Sequence, residues 1–544
     1  MTMPAQPAVE ARTLIDALLE EQRDLSAAEL FARWHDGAAF STAPSHRQLL
    51  PLSKPSPGEQ YAFEVDLDRC SGCKSCVTAC HALNGLDDEE TWRSTGVLHG
   101  HGRNSFQQTI TTACHHCVEP GCLEGCPVLA YDKDPVSGIV RHLDDQCIGC
   151  QYCIFMCPYE VPKYSSSRGI VRKCDMCQQR LAHDEAPACV QACPNEAIRI
   201  SLVQTEELRL EYRDDADRPH SRLEDRCSKF LPDSPDPAIT LPTTRYVSAK
   251  RLPGPLMAGD SQNLPLQHAH LPLVLMLVFT QLGAGGFTFL PFTAVGARSP
   301  LALLAITATI IGVVTSIFHL GRPSQAWRAF LGLRKSWLSR EIVVFGCFAG
   351  LGLGATLGLF TSNWASALVF PAALAGLSGV FCSAMTYHVT RRECWRGQLS
   401  FGRFFGTTVV LGLAGAWVAS VLAGRTAPVF ALALAISALV KLGFEQKQLR
   451  LCPDDAGLNE ELPDSLPARS AYLMRFRLGA LLRIRIASAW AGGIVLPLLS
   501  LLRDSPSLLP AITAMFLCLC GEFLERLLFF RAAAVRKMPG MPPS

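Results

Sequence analysis

This sequence has almost no net charge. Its 544 residues hold 50 Lys+Arg against 48 Asp+Glu, a formal net charge of +2, and neither half reads as a basic tail, which argues against a nucleic-acid protein. It also shows no export signal at its start. MTMPAQPAVEARTL has neither an apolar core nor a twin-arginine pair, so the expectation is a protein not marked for export. Without export, a disulfide framework is the weak reading of its cysteines and ligation the strong one.

Cysteine is what the sequence has in abundance. Of 23 cysteines, 16 lie between Cys70 and Cys193, in four groups. Cys70, Cys73, Cys76 and Cys80 are spaced x2-x2-x3, and Cys114, Cys117, Cys122 and Cys126 are spaced x2-x4-x3. Cys147, Cys150, Cys153 and Cys157 repeat x2-x2-x3, and Cys174, Cys177, Cys189 and Cys193 have x2-x11-x3. Three groups end in Cys-Pro, at Pro127, Pro158 and Pro194, whereas the first ends CHALN. Such runs hold iron–sulfur clusters: three thiolates on a tight turn reach three irons of a cubane, and the fourth points to a neighbouring cluster. Sixteen ligands at four per cluster imply four 4Fe–4S centres. Structural zinc is the alternative for any C-x2-C pair, but zinc sites do not usually carry the x2-x2-x3-Cys-Pro run. The other seven cysteines (Cys227, Cys347, Cys382, Cys394, Cys452, Cys518, Cys520) have no ligand spacing and read as structural.

Hydrophobicity is equally uneven. Up to about residue 265 the sequence is polar; beyond it, apolar stretches recur near 271–292, 300–318, 342–361, 366–388, 404–424, 427–444, 484–502 and 507–530. Each can cross a hydrocarbon core of ~30 Å. The sequence therefore divides into a helical extension and linker over 1–60, a cluster domain over 61–201, an irregular strap over 202–264 and a membrane domain over 265–544. The extension suits a docking arm or a solvated helical hairpin equally well. The fold class expected is an α+β ferredoxin-like four-cluster domain followed by an all-α eight-helix transmembrane domain.

The motifs CSGCKSCVTAC, CHHCVEPGCLEGCP, CIGCQYCIFMCPY and KCDMC…ACVQACP resemble the four-cluster electron-transfer subunit of the dimethyl sulfoxide reductase family of molybdopterin enzymes. SIFHLGRPSQAWRAF and SWLSREI resemble that family's membrane-anchor subunit. The resemblance covers nearly all but the first 60 residues and joins two normally separate subunits in one polypeptide. It implies crossed ligation: Cys70, Cys73, Cys76 with Cys193; Cys174, Cys177, Cys189 with Cys80; Cys114, Cys117, Cys122 with Cys157; and Cys147, Cys150, Cys153 with Cys126. It also implies a large catalytic partner carrying molybdenum or tungsten on a pterin.

Lys and Arg in loops set membrane orientation. Loops on the side of the cluster domain carry 18 of them against three opposite, so the cluster domain is expected on the cytoplasmic side of a bacterial inner membrane. An anchor exchanging electrons in the lipid phase needs a carrier, menaquinone or ubiquinone. Quinol oxidation releases two protons with two electrons, so the site needs proton-accepting groups near the first cluster. His319, ending the second span, and Glu341, opening the third, suit that task, with Arg322 and Arg340 to orient quinone oxygens or the carboxylate. The alternative is that these are ordinary interfacial residues, as Trp327 and Trp337 read.

A b-type haem is not expected, because it usually needs two facing histidines and only His319 and His388 lie within or after the second span. Gly283, Gly285 and Gly286 read as close helix packing. Taken together, the sequence reads as the electron-transfer and anchor component of a quinone-linked molybdopterin oxidoreductase, contacting membrane lipid, the quinone pool and a separate catalytic subunit. Two rivals are an ion-translocating redox module and a membrane redox sensor. The first would need charges through the membrane centre, and Lys441, Glu522, Glu525 and Arg526 read as lying near span ends or on the last helix.

Overall fold

The computed structural model describes residues 13–15, 20 and 44–542, except 101–105, 214–229, 251, 253–255, 362–365, 396, 453–461, 464 and 503–504. Most of the expected amino-terminal extension lies outside the described residues.

The cysteine-rich half is a mixed α+β unit of small sheets. Strand β1 (Glu59–Asp66) pairs antiparallel with β8 (Ile198–Gln204) and parallel with β9 (Arg245–Val247). Strand β2 (Ser94–Gly100) lies between β3 (Phe106–Thr112) and β10 (Leu256–Ala258). Two hairpins, β4–β5 (Tyr131–Lys133, Val140–His142) and β6–β7 (Lys163–Ser165, Ile170–Arg172), sit beside the cysteine turns. The strap expected over 202–264 is therefore partly regular: β9 and β10 complete two sheets of the cluster domain.

Each cysteine group is built on a left-handed residue. Gly72 (φ 70°), His116 (φ 40°), Gly149 (φ 69°) and Met176 (φ 61°) each precede the second cysteine of their group. That conformation is easy for glycine and costly for the others. A second left-handed residue follows three positions after the last cysteine of groups two to four, at Leu129, Glu160 and Glu196. The proline after those cysteines disfavours helical backbone at the cysteine itself, and Cys126 and Cys157 are extended where their helices stop. The first group, without proline, keeps Cys80 inside a helix that runs to Asn84.

Among the described residues, the membrane half has eight helices long and apolar enough to cross a bilayer: Leu271–Phe292, Val295–Ile317, Trp337–Thr361, Ala367–His388, Gln398–Leu422, Pro428–Leu449, Gly479–Ser500 and Leu508–Arg531. Spans two, three, five and seven begin five or six residues before the apolar runs do, because a turn bearing polar residues continues each helix beyond its hydrophobic core. Spans one and five form the centre, with 72% of their apolar windows buried against 33–44% in the other six. Glycine permits this: a methyl on Gly285 would meet the Thr408 carbonyl and lie 2.9 Å from Gly412 Cα, and one on Gly286 would lie 2.6 Å from Ala305 Cβ.

The two halves are tied twice. The backbone passes directly from β10 to the first span, and the tail after the eighth span returns to the cluster domain. Met538 and Met541 are buried in its core, and Lys163 Nζ donates to the Pro542 carbonyl at 2.8 Å. Replacing Gly285 by leucine should force spans one and five apart, costing about 1–3 kcal/mol or more, read as a lower melting temperature of the detergent-solubilised protein.

Candidate cofactor and substrate site

The fold gathers the sixteen cysteines into four sets, each drawing its fourth member from another segment. Cys70, Cys73, Cys76 and Cys193 line one cavity. Cys114, Cys117, Cys122 and Cys157 line another. The thiol of Cys126 lies in the electrostatic neighbourhood of Cys147, Cys150 and Cys153, and that of Cys80 in that of Cys177 and Cys189, with Cys174 beside it. None of the sixteen is in a disulfide.

Burial governs these thiols. It pushes Cys80 up to about 12, Cys126 to about 11 and Cys157 to about 11, so thiolate here calls for nearby positive charge, which bound iron supplies. The protein adds some of its own. Arg93, 2% exposed, lies near Cys76, Cys80, Cys174 and Cys189. Lys173 is fully enclosed; burial would strip its proton, but Cys114, Cys122 and Cys174 hold its ammonium form above the usual range. Four-thiol cavities flanked by buried cations fit anionic iron–sulfur clusters.

At the junction with the membrane half, the loop Phe318–Ser336 and the end of the fourth span hold the second and third cysteine groups. Gly332 N donates to the Pro127 carbonyl at 2.8 Å, Ser336 Oγ to the Gly125 carbonyl at 2.7 Å and Arg322 N to the Ile148 carbonyl at 3.1 Å. Tyr152 Oη donates to the Thr386 carbonyl at 2.7 Å. Arg392 donates to the Ile154 and Phe155 carbonyls and pairs with buried Glu160 at 3.3 Å.

Beneath this contact, between the first four spans, lies a cavity of about 210 Å³. Its wall is mostly apolar, with His319, Glu341, Tyr387 and Thr280 among the polar side chains, and it is closed on one side by Ile148 and Cys150 of the third cysteine group. His319 Nε2 lies 3.1 Å from the Cys150 carbonyl. That contact makes Nε2 the donor, leaving Nδ1 as acceptor in the neutral ring. Glu341 lies in the second turn of the third span, 3% exposed, rather than opening it. Its carboxylate accepts from Ser383 Oγ at 2.5 Å and Thr386 Oγ1 at 3.2 Å, both on the fourth span.

Of the four residues expected at this site, the structure brings His319 and Glu341 to one cavity and leaves two outside. Arg322 reaches instead to the Asp144 carbonyl at 2.7 Å. Arg340 donates to the Leu333 and Arg334 carbonyls and stacks on Trp337, 4.4 Å from its ring centre. Both guanidiniums satisfy exposed loop carbonyls rather than enter an apolar cavity, where an unpaired charge is costly. His388 is also elsewhere, its Nδ1 accepting from Gly397 N at 3.1 Å.

Sequence reasoning missed Tyr387 and Thr280 in the wall. It also missed His270, whose ring lies 5.4 Å from that of His319 and 5.0 Å from His268. Burial first, then the neighbouring imidazoles and Arg392, holds His270 far below the histidine range, at about 3. The signal was available: His-Ala-His immediately precedes the first span's Leu-Pro.

Comparison with known proteins agrees with both halves. Residues 106–202 match the 4Fe-4S dicluster domain and residues 267–531 match the DMSO reductase anchor subunit (DmsC). Among curated proteins, the sequence is 35% identical over 167 residues to the iron–sulfur subunit of the anaerobic dimethyl sulfoxide reductase of Haemophilus influenzae, covering 28% of this protein and 78% of that relative. It is 36% identical over 167 residues to the corresponding subunit of Escherichia coli K12, with the same coverage. Similarity extends to the hydrogenase-2 operon protein HybA of Escherichia coli O157:H7, 37% identical over 171 residues, 26% of this protein and 52% of that one.

Arg392→Ala should leave Glu160 buried and unpaired, a loss of about 3–5 kcal/mol. It should appear as faster hydrogen exchange at residues 150–160 in the intact protein.

Proposed function

Because this protein belongs to the family of anaerobic dimethyl sulfoxide reductase iron–sulfur subunits, fused here to the anchor domain, we propose that it passes electrons between a membrane quinone and a separate molybdopterin subunit. Iron–sulfur electron transfer and multi-pass membrane anchoring are what the family and the eight spans establish. The finer reading comprises four clusters held by the crossed cysteine sets, a quinone site, a molybdenum- or tungsten-bearing partner and a cluster domain on the cytoplasmic face.

The observation that carries this reading is the single cavity shared by His319, Glu341 and Cys150. Its size and apolar wall suit a quinone ring, and it lies between the first four spans. Iron–sulfur clusters, when bound, carry one electron at a time. The protein's own part is to bind and orient the ring and take its protons. His319 Nδ1 accepts a hydrogen bond from one quinol hydroxyl while Nε2 stays tied to the Cys150 carbonyl. Glu341, held by Ser383 and Thr386, faces the same cavity as a second acceptor. Tyr152 and Arg392 keep the third cysteine group seated on this cavity, which keeps the transfer distance short.

The tests are chemical and spectroscopic. The purified protein should hold about sixteen irons at four per cluster; fewer than about twelve would overturn the four-cluster reading. Reduction of the clusters by a quinol should fall by about 10²-fold or more in His319→Ala and in Glu341→Gln, the range for lost acid–base groups, while dithionite reduces both variants fully. Quinol-driven rates equal to wild type in both would remove the site from this cavity. Reporter fusions after Arg425 and after Ser544 should place the former opposite the cluster domain and the latter beside it.

A further inference from the structure

Lys441, Glu522, Glu525 and Arg526 do not lie apart at span ends. With Arg403, Glu445 and Arg485 they form one buried network on spans five to eight. Arg403, placed in a loop by the hydropathy pattern, lies inside the fifth span, and Arg485 inside the seventh. Lys441 pairs with Glu522 and lies 3.5 Å from Glu445; Arg485 reaches Glu445 at 2.9 Å and Glu522 at 3.1 Å. Glu525 lies between Arg403 at 3.4 Å and Arg526 at 3.5 Å. Arg403 also donates to Gln448 at 2.6 Å, and Arg526 to Gln281 of the first span at 3.3 Å.

Thr407 Oγ1 is the hub. It accepts from Lys441 Nζ at 2.9 Å and from Arg526 at 3.4 Å, and its one proton faces both Glu522 at 2.6 Å and the Arg403 carbonyl at 2.9 Å. Among the described residues, Cys518, Cys394 and Tyr387 are further titratable groups facing the network.

Four cations against three carboxylates leave one positive charge in excess, in a region where uncompensated charge is expensive. Three of the cations are guanidiniums, which keep their protons. The network can therefore reach neutrality by releasing one proton from the Lys441–Thr407–Glu522 bridge without losing a guanidinium pair. Access is one-sided. Glu445, four residues from the cluster-side end of the sixth span, is 12% exposed, and a cavity of about 20 Å³ lined by Arg403, Glu445, Arg485 and Glu525 has room for a water. Toward the far side, residues 282–292, 408–422, 428–440, 487–500 and 508–521 contain no Asp, Glu, Lys, Arg or His.

The network also backs onto the cavity at His319. Arg526 lies 4.0 Å from the ring centre of Phe404 and 5.3 Å from that of Phe529. The other contacts of those two rings include Tyr387 of the cavity wall, at 5.7 and 5.4 Å. Gln281 follows Thr280 of the same wall. One layer of side chains separates the two sites, thin enough in a low-dielectric interior for charge at one to be felt at the other.

We propose that this network is a proton-exchange site coupled to quinone turnover, open to the cluster side, with the Lys441–Thr407–Glu522 bridge carrying the exchanged proton. The proposal rests on the quinone reading above for its driving event. Oxidation of one quinol sends two electrons to the iron centres and leaves two protons in the cavity. The bridge releases its proton to the cluster side as positive charge appears there, and regains one as the cavity protons leave. Two protons depart per quinol, and only N–H and O–H bonds change.

The test uses the full complex carrying Lys441→Met or Thr407→Val, with quinol-driven cluster reduction followed across pH. Thr407→Val keeps every charge and nearly the same volume, and decides the matter if Lys441→Met fails to assemble. The expected result is a rate at least about tenfold lower, below the 10²–10⁴ of direct acid–base transfer, with a flattened pH profile, full iron content and unchanged dithionite reduction. A variant that keeps the wild-type pH profile, whatever its rate, overturns the proposal and makes the network a structural tie. A wild-type complex that exchanges no electrons with quinone overturns the quinone reading and this proposal together, and is recognised before any substitution is made.

Discussion

The crossed cysteine sets are the constraint on which the rest of this structure depends. Each set takes three thiols from one cysteine group and a fourth from another, Cys193 with Cys70 being the widest separation. Closing those loops costs chain entropy, and the sheets hold them shut. Antiparallel pairing of β1 with β8 brings Val65 opposite Ile198, so the start of the first group meets the end of the last. The left-handed residues at these turns include His116, Met176 and Cys177, none of them glycine, and they carry strain that persists only because the surroundings over-determine it.

The same constraint shapes the junction with the membrane. Carbonyls of the second and third groups, at Gly125, Pro127, Ile148 and Cys150, point outward and are taken up by the loop after the second span. Polar backbone enclosed at the junction is thereby satisfied. The cavity at His319 exists because these contacts bridge the span ends rather than fill the space between them. Fusion of the two halves reinforces the arrangement, since both the segment entering the first span and the tail leaving the eighth are anchored in the cluster domain.

Buried charge follows a different rule in each half. In the cluster domain, Arg93 and Lys173 answer thiolates. In the membrane half, the cations of spans five to eight answer carboxylates on neighbouring helices, and each partner removed would leave a charge in a medium that cannot screen it. Such groups tie helices together, and for the same reason respond sharply to any nearby change of charge.

Much of this was legible in the sequence because the signals are local. Cysteine spacing, the Cys-Pro endings and the eight apolar runs each report on a few consecutive residues, so the cofactor class, the two-part architecture and the span count could be read directly. His319 and Glu341 were legible too, since they are polar residues at the ends of apolar runs facing the cluster domain. What the tertiary structure alone decided depends on which side of a helix meets which neighbour. Arg322 and Arg340 look as suitable as His319 in sequence, yet their long side chains fold onto loop carbonyls outside the cavity. Arg403 and Glu445 look like interfacial or loop charges, yet helices that continue past their apolar runs carry them inside. A one-dimensional hydropathy pattern marks where a span is apolar, not where its helix begins, and it cannot show that charges on four helices meet at one depth.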